Sequence, residues 1–208
     1  MNNIGLILVG AGGHARACID VVGHASAYEI TGLIGSPDEL GTTVDGCRVI
    51  GTDKDLEKFS QLHRNALIAV GQIKSPKVRI ELYEKLLGYG FAFPVVISSR
   101  AYVSDHAIVN SGTIVMHDAL INAGAIVGEN CIINSKALIE HDSKVGNHCH
   151  ISTGVIVNGG VSVDAGSFVG SGSVIKEGVS IGKNCLIGMG QIVRHNLQDG
   201  SILAGVKS

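Results

Sequence analysis

The chain has 208 residues, a net charge of −2 and 45% hydrophobic residues, enough for one large domain or two small ones. So balanced a charge gives no reason to expect nucleic acid or an anionic membrane as partner, and no apolar run is long enough for a helical membrane span. Twenty-nine glycines, 4% aromatics and no tryptophan point instead to a core of small and β-branched residues turned at many glycines, as in a repeat architecture.

The opening decapeptide lacks the basic region of a secretory leader and runs straight into a strand pattern, so it reads as mature sequence of a cytoplasmic protein. The continuous apolar run Ile4–Val9 predicts a buried parallel strand. A glycine turn and a helix over His14–Gly23 follow. Ile30–Ile34 and Ala66–Val70 read as further strands, and Asp53–Phe59 and Lys77–Leu87 as helices. Strands alternating with helices predict a small parallel sheet, an α/β Rossmann-like domain over residues 1–97.

From Ala101 the period changes to six. Every sixth residue from Val103 to Val193 is Val or Ile, without a break in register. Two places before each stands a mostly small residue, as at Ala101, Ala107, Thr113, Ala119, Ala125 and Cys131. This spacing predicts a prism of short parallel strands over residues 98–208. The aliphatic residues point inward and the small ones fill the corners. Three six-residue sides close one coil, and about five coils stack at roughly 4.8 Å, on the order of 25 Å in all. Stacked coils need caps at both ends, one of which the tail from His195 can supply. Cys131, Cys149 and Cys185 occupy small corner positions. With no C-x-x-C pair, they, Cys18 and Cys47 are expected to be reduced thiols.

The repeat gives every outward residue a phase. His141 stacks between Ala123 and Gly159, both tiny, and its neighbours in sequence are Glu140 and Asp142. A carboxylate that accepts the imidazole N–H fixes its tautomer and raises its basicity, as a general base requires. His150 lies half a coil further on, so within one chain the two rings point apart and can meet only across an interface between chains. That predicts a homotrimer with shared sites. His148, His150 and His141 differ in phase, so no metal site is expected from them. His106, His117 and His195 fit no pattern.

Near the N-terminus, Gly10-Ala11-Gly12-Gly13-His14-Ala15 joins the first strand to a helix, which suits a phosphate group at bare backbone N–H groups. The segment formally fits G-x-G-x-x-A. A dinucleotide site also wants an acid at the end of the second strand, where Gly35-Ser36-Pro37 stand and the first acid is Asp38. A nucleotide-sugar phosphate suits the loop better, and a plain tight turn remains an alternative.

At these residues the chain resembles two groups of bacterial sugar acetyltransferases of the hexapeptide-repeat family. One N-acetylates nucleotide-linked 4-amino sugars, as in bacillosamine synthesis and on GDP-perosamine; the other O-acetylates sialic acids. The shared marks are Val9–His14, the run Asn134-Ser135-Lys136-Ala137-Leu138-Ile139-Glu140-His141, and the ending Ala204-Gly205-Val206. The resemblance covers nearly the whole length. It implies a left-handed parallel β-helix, with residues 1–97 binding the nucleotide sugar and residues 98–208 carrying acetyl transfer.

It further implies His141 as general base with Asp142 as partner and Glu140 beside them. Asn134 would lie near the acceptor, and Gly10, Gly12, Gly13, His14, Gly71 and Gln72 would cradle the acceptor's nucleotide. His150 would bond the acetyl donor or the acceptor. Acetyl-CoA would lie in the groove between prisms, with backbone N–H groups of Gly159, Ser171 and Gly172 on its carbonyl and amides. Gly188, Met189 and Gly190 would lie further along the CoA arm. His150 favours the N-acetyltransferases, whereas Ile151-Ser152-Thr153 and Val157–Val163 look more like the sialic acid group. The chain departs from the family in lacking aspartates after the second strand and in ending Gly205-Val206-Lys207-Ser208. Three functions thus stand in order: N-acetylation of a nucleotide-linked amino sugar with acetyl-CoA, O-acetylation of a sialic acid or related sugar, and a non-catalytic binding module. A dinucleotide oxidoreductase is not expected.

Overall fold

The computed structural model describes residues 4–24 and 27–204, in two compact units formed by 4–71 with 77–99 and by 72–76 with 100–204. The terminal Gly205-Val206 pair lies outside the described residues.

The first unit is a five-stranded sheet in the order β3-β4-β2-β1-β5. Its strands are β1 (Ile4–Val9), β2 (Tyr28–Gly35), β3 (Thr43–Val44), β4 (Cys47–Thr52) and β5 (Asn65–Ile68). All neighbours run parallel except β3 and β4. Helices α1 (Gly13–His24), α2 (Leu56–Ser60) and α3 (Lys77–Gly88) connect and cover it. Leu6, Ile7, Leu8 and Val9 are all buried, as a central strand covered on both faces requires. One face packs Ile7, Val9 and Ile68 on Leu56, Tyr83, Leu86 and Phe93. Cys18, Val21 and Val22 of α1 are buried as well.

Two elements depart from the sequence expectation. The sheet gains the hairpin β3–β4, turned at Asp45-Gly46 with φ of 46° and 83°. That is the Asp-Gly pair that a two-residue hairpin turn favours. The second helix shrinks to Leu56–Ser60, because the preceding residues form a turn closed by Asp55: its Oδ2 accepts the Thr52 N–H at 2.8 Å and the Thr52 hydroxyl at 2.9 Å. Those bonds hold the Asp55 carboxyl below the usual carboxylate range.

The second unit is a parallel β-helix. Sheet I runs from Tyr102–Val103 to Ile192–Val193, sheet II from Ile108–Val109 to Ser180–Ile181, and sheet III from Ile114–Val115 to Ile202–Leu203. Each strand is two residues long, and up to Ile192–Val193 neighbouring strands of a sheet pair in register at a spacing of 18 residues, as Leu120 with Leu138 and Ile121 with Ile139. The inward Val and Ile residues from Val115 to Val193 are buried, while Val103 and Val109 in the first coil are half-buried. The repeat spacing therefore reads directly as the core of the prism.

The corners carry two further regularities. The third residue of every corner from Gly112 to Gly190 has φ between 52° and 75°. Glycine, asparagine and aspartate tolerate that left-handed region best, and they fill most of these places. Inside the corners, small polar groups tie neighbouring coils. Thr113, Ser143, Ser167 and Ser173 donate their hydroxyls to carbonyls in the next coil at 2.7–2.9 Å. The Cys131, Cys149 and Cys185 thiols do the same at 3.1–3.2 Å. The five thiols form no disulfide. Burial pushes Cys18 up to about 12 and Cys149 well above the ordinary thiol range, so both are inert at neutral pH.

After Val193 the six-residue register ends but the ladder does not. Leu197 bridges to Ile181, and Ile202–Leu203 pairs with Leu186–Ile187. The tail is thus a shortened last coil, with partners such as Asn196 and Asp199 bonding 16 rather than 18 residues back.

Candidate functional site

Corner geometry decides what His141 can do. The corner between sheets I and II stacks Ala123, His141 and Gly159, and Gly160 donates its N–H to the His141 carbonyl at 3.0 Å. The imidazole is two-thirds exposed. Its Nδ1–H donates to Asp142 Oδ2 at 2.9 Å, since a carboxylate can only accept. Nε2 therefore carries the free lone pair. A Cβ on Gly159 would stand 2.7 Å from that Nε2, so the missing side chain at Gly159 is the space the ring faces. The bond to Asp142, with the charges of Asp142 and Glu140, lifts the His141 pKa above its ordinary value.

Asp142 occupies the left-handed corner position, with φ 59°. Gly124, one coil below, leaves room for it: a Cβ there would meet Asp142 Oδ1 at 2.6 Å. Glu140 differs from the expectation that grouped it with the ring. Its Oε2 accepts Asn122 Nδ2 at 2.8 Å and the His141 backbone N–H at 3.2 Å. It braces the backbone of His141, and Asn122 is the participant that sequence reasoning left without a role, although its stacking 18 residues before Glu140 was visible.

The remaining residues expected at the CoA do not converge on His141 within one chain. Ser171, Gly172, Gly188, Met189 and Gly190 line the corner between sheets III and I. Gly172 must be corrected as a free backbone donor, because its N–H already bonds the Thr153 carbonyl at 2.9 Å. Gly188 and Gly190 likewise donate within the ladder, to Leu203 at 2.7 Å and to Ser171 at 2.8 Å. Met189 is 80% exposed at the corner tip.

His150 projects from sheet III and is buried. Its Nδ1–H donates to the Gln72 carbonyl at 2.6 Å, and its Nε2 accepts Asn134 Nδ2 at 3.2 Å. Phe168 meets the ring edge-on at 5.1 Å. Both nitrogens are thus engaged within the chain. Asn134 is engaged too, its Oδ1 accepting the Ser135 N–H at 2.8 Å. Gln72 is buried, with Nε2 on the Gly166 carbonyl at 3.4 Å.

The first unit has a cavity of about 730 Å³ at the C-terminal ends of β1, β2 and β5. Gly10, Gly12, Gly13 and His14 form one wall and Gly71 another. Gln72 is not part of the lining, which corrects its pairing with Gly71. Gly10 has φ 128°, and a Cβ on it would stand 2.8 Å from the Ala69 carbonyl carbon, so only glycine fits where the loop crosses β5. A Cβ on Gly12 or Gly13 would meet nothing within 4 Å. The loop thus offers bare backbone at the N-terminus of α1, where helix N–H groups lack internal partners. Sequence reasoning missed Glu39, Lys54, Glu81 and Lys85, which also line the cavity. They lie on turns and helices that only the fold brings to the strand ends.

Residues 5–86 match the PglD N-terminal domain, and residues 160–194 match the hexapeptide repeat of succinyl-transferase. The comparison with curated protein sequences gave no match. Among solved structures, the chain resembles GDP-perosamine N-acetyltransferase of Caulobacter crescentus. Variants of that enzyme with a histidine replaced by asparagine or alanine hold CoA and GDP-perosamine. Each is 28% identical with a TM-score of 0.89, over 97% of this chain and 94% of that one. The acetyltransferase domain of PglB from Neisseria gonorrhoeae, in complex with acetyl coenzyme A, is 28% identical with a TM-score of 0.88, over 98% and 97% of the two chains. WeeI from Acinetobacter baumannii, at 21% identity and a TM-score of 0.76 over 97% of both chains, shares the fold.

The chain is an acetyltransferase whose second unit is a left-handed parallel β-helix of hexapeptide repeats. Along nearly its whole length the chain is similar to the bacterial sugar acetyltransferases.

Proposed function

We propose that the chain N-acetylates an amine of a nucleotide-linked amino sugar, with acetyl-CoA as co-substrate and His141 as general base. The observation that carries this reading is the His141 ring, held by Asp142 through Nδ1 with Nε2 facing the open place above Gly159. The amine attacks the thioester carbonyl carbon and a tetrahedral oxyanion forms. His141 Nε2 takes the proton from the nitrogen. The oxyanion collapses, the carbon–sulfur bond breaks, and the thiolate of CoA leaves and is protonated. Backbone N–H groups of Gly159 and Ser171 are the candidate donors to the oxyanion. The nucleotide of the acceptor occupies the cavity of the first unit, with its phosphates on Gly10–His14. The relatives that hold CoA, acetyl coenzyme A or GDP-perosamine support both substrates.

The acting unit in this reading is a homotrimer. The outward residues of sheet I are Tyr102, Leu120, Leu138, Ile156, Val174 and Ile192, an unbroken apolar row that is half-buried to exposed in the single chain. Sheet II starts with Ile108 and Ile126 but then turns polar, with Lys144, Ser162 and Ser180. Three copies that turn sheet I toward a common axis bring the His141 corner of each against the Ser171 corner of the next. That joins the two half-sites which one chain keeps apart.

The test follows free thiol release from acetyl-CoA with a panel of nucleotide-linked 4-amino sugars and, separately, sialic acids. Turnover with an amino sugar and its loss in His141→Ala, at unchanged melting temperature, is the expected result. Turnover with sialic acids alone makes the chain an O-acetyltransferase. Binding of neither acetyl-CoA nor any nucleotide sugar makes it a non-catalytic module. Full activity in a monomer refutes the shared site.

A further inference from the structure

The cavity of the first unit lacks, in sequence, the acid that a nucleotide site wants at the end of its second strand. Gly35-Ser36-Pro37 stand there, and the chain then enters a single 3-10 turn, Pro37–Glu39. In the fold, Glu39 doubles back. Its Oε2 accepts the Ser36 N–H at 2.8 Å and the Ser36 hydroxyl at 2.9 Å. The carboxylate thus stands beside the last residue of β2. Gly35 makes the place available: a Cβ there would stand 2.8 Å from Glu39 Oε2 and 3.2 Å from the Ala11 Cβ. Glu39 and the glycine loop therefore close on the same point from two sides, and both line the cavity of about 730 Å³.

We infer that Glu39 is a specificity-determining residue that accepts hydrogen bonds from the ribose hydroxyls of the acceptor's nucleotide. The inference rests on the nucleotide-sugar reading given above. In open α/β sheets an acid at the end of the second strand meets the ribose when the phosphates lie on the glycine loop. Here that acid arrives from four residues past the strand. Oε2 is fixed by Ser36, and Oε1 takes neither of those bonds and is left for the sugar. A charged acceptor held in advance bonds a hydroxyl more strongly than a neutral one. The chain therefore prefers ribonucleotides over 2′-deoxyribonucleotides, whichever base they carry.

The probes are GDP and UDP with their 2′-deoxy forms, titrated calorimetrically into the full chain and into Glu39→Gln. Glutamine keeps the turn, because it also serves as the returning acceptor of a capping box. The full chain is expected to bind the ribo form about tenfold more tightly than the deoxy form. Glu39→Gln is expected to bind the two alike, at an unchanged melting temperature. If the preference survives in Glu39→Gln, or if the unaltered chain binds both forms equally, Glu39 only closes its turn and the inference is wrong while the nucleotide site stands. If the unaltered chain binds no nucleoside diphosphate, the nucleotide-sugar reading fails and takes this one with it.

Discussion

Gly159→Ala isolates the position of one atom. The added methyl carbon would stand 2.7 Å from His141 Nε2 and 2.8 Å from Cε1, whereas ordinary contact begins near 3.4 Å. Gly159 does not use the left-handed region, so its backbone accepts alanine, and the ring must retreat by about 0.7 Å or turn away from Asp142. A general base works within hydrogen-bond reach of the proton it takes, and misplacement by about 1 Å can cost on the order of 10²-fold. kcat/KM for the amino sugar should therefore fall by about 10²-fold, close to 2.7 kcal/mol of barrier. The exposed corner leaves the buried prism untouched, so the melting temperature should hold. The assay is continuous detection of released CoA thiol at several pH values. If Gly159→Ala keeps kcat/KM within about threefold of the parent, with the same pH profile, Nε2 is not the atom that receives the proton.

Asp142→Asn should move the rising limb of kcat/KM to lower pH and reduce its plateau. Asp142 raises the His141 pKa, and the ring acts as a base only above that pKa; an unmoved limb in the pH–rate profile would refute the pairing. Ser167→Ala removes both the hydroxyl donated to the Gly182 carbonyl at 2.8 Å and the acceptor of the Cys185 N–H at 2.9 Å. It should cost about 1–3 kcal/mol in urea unfolding, while Ser167→Cys should be milder, because thiols fill that role elsewhere in the prism. Ile156→Asp, in the middle of the apolar row on sheet I, should dissociate the proposed trimer in sedimentation and remove activity together with it.

The prism was legible because its period is rigid. A short strand that repeats every six residues buries the same kind of atom at the same place, so Val115 to Val193 announce the core by spacing alone. The same rigidity made the stacking of His141 with Gly159 readable. What escaped was side-chain direction over short distances. Glu140 and Asp142 flank His141 alike in sequence, yet only Asp142 reaches the ring, because the left-handed corner turns its carboxylate back toward Nδ1. In the α/β unit, strands β1, β2 and β5 were readable as apolar runs. The hairpin at Asp45-Gly46 had a local turn signal that went unread beside the short strands Thr43–Val44 and Cys47–Thr52. Glu39 and Gln72 escaped for a different reason. Their places depend on a turn that doubles back and on a segment, 72–76, that packs with the β-helix although it sits in sequence between α/β elements.

The left-handed residue that recurs in every corner carries one more consequence. Where glycine occupies it with open space around, as at Gly154, Gly160, Gly172 and Gly178, the backbone is pre-adapted to aspartate or asparagine. The prism behaves as a lattice with an address every six residues, and the His141–Asp142 dyad fills one address among many. With His141 and Glu177 replaced by glycine, a histidine–aspartate pair written at Gly159-Gly160 would stand one coil higher, displaced by about 4.8 Å along the prism. The place of the dyad along the prism can thus be changed in whole-coil steps. On such a scaffold, a reach for longer or shorter acceptors becomes a matter of where along the ladder two residues are placed.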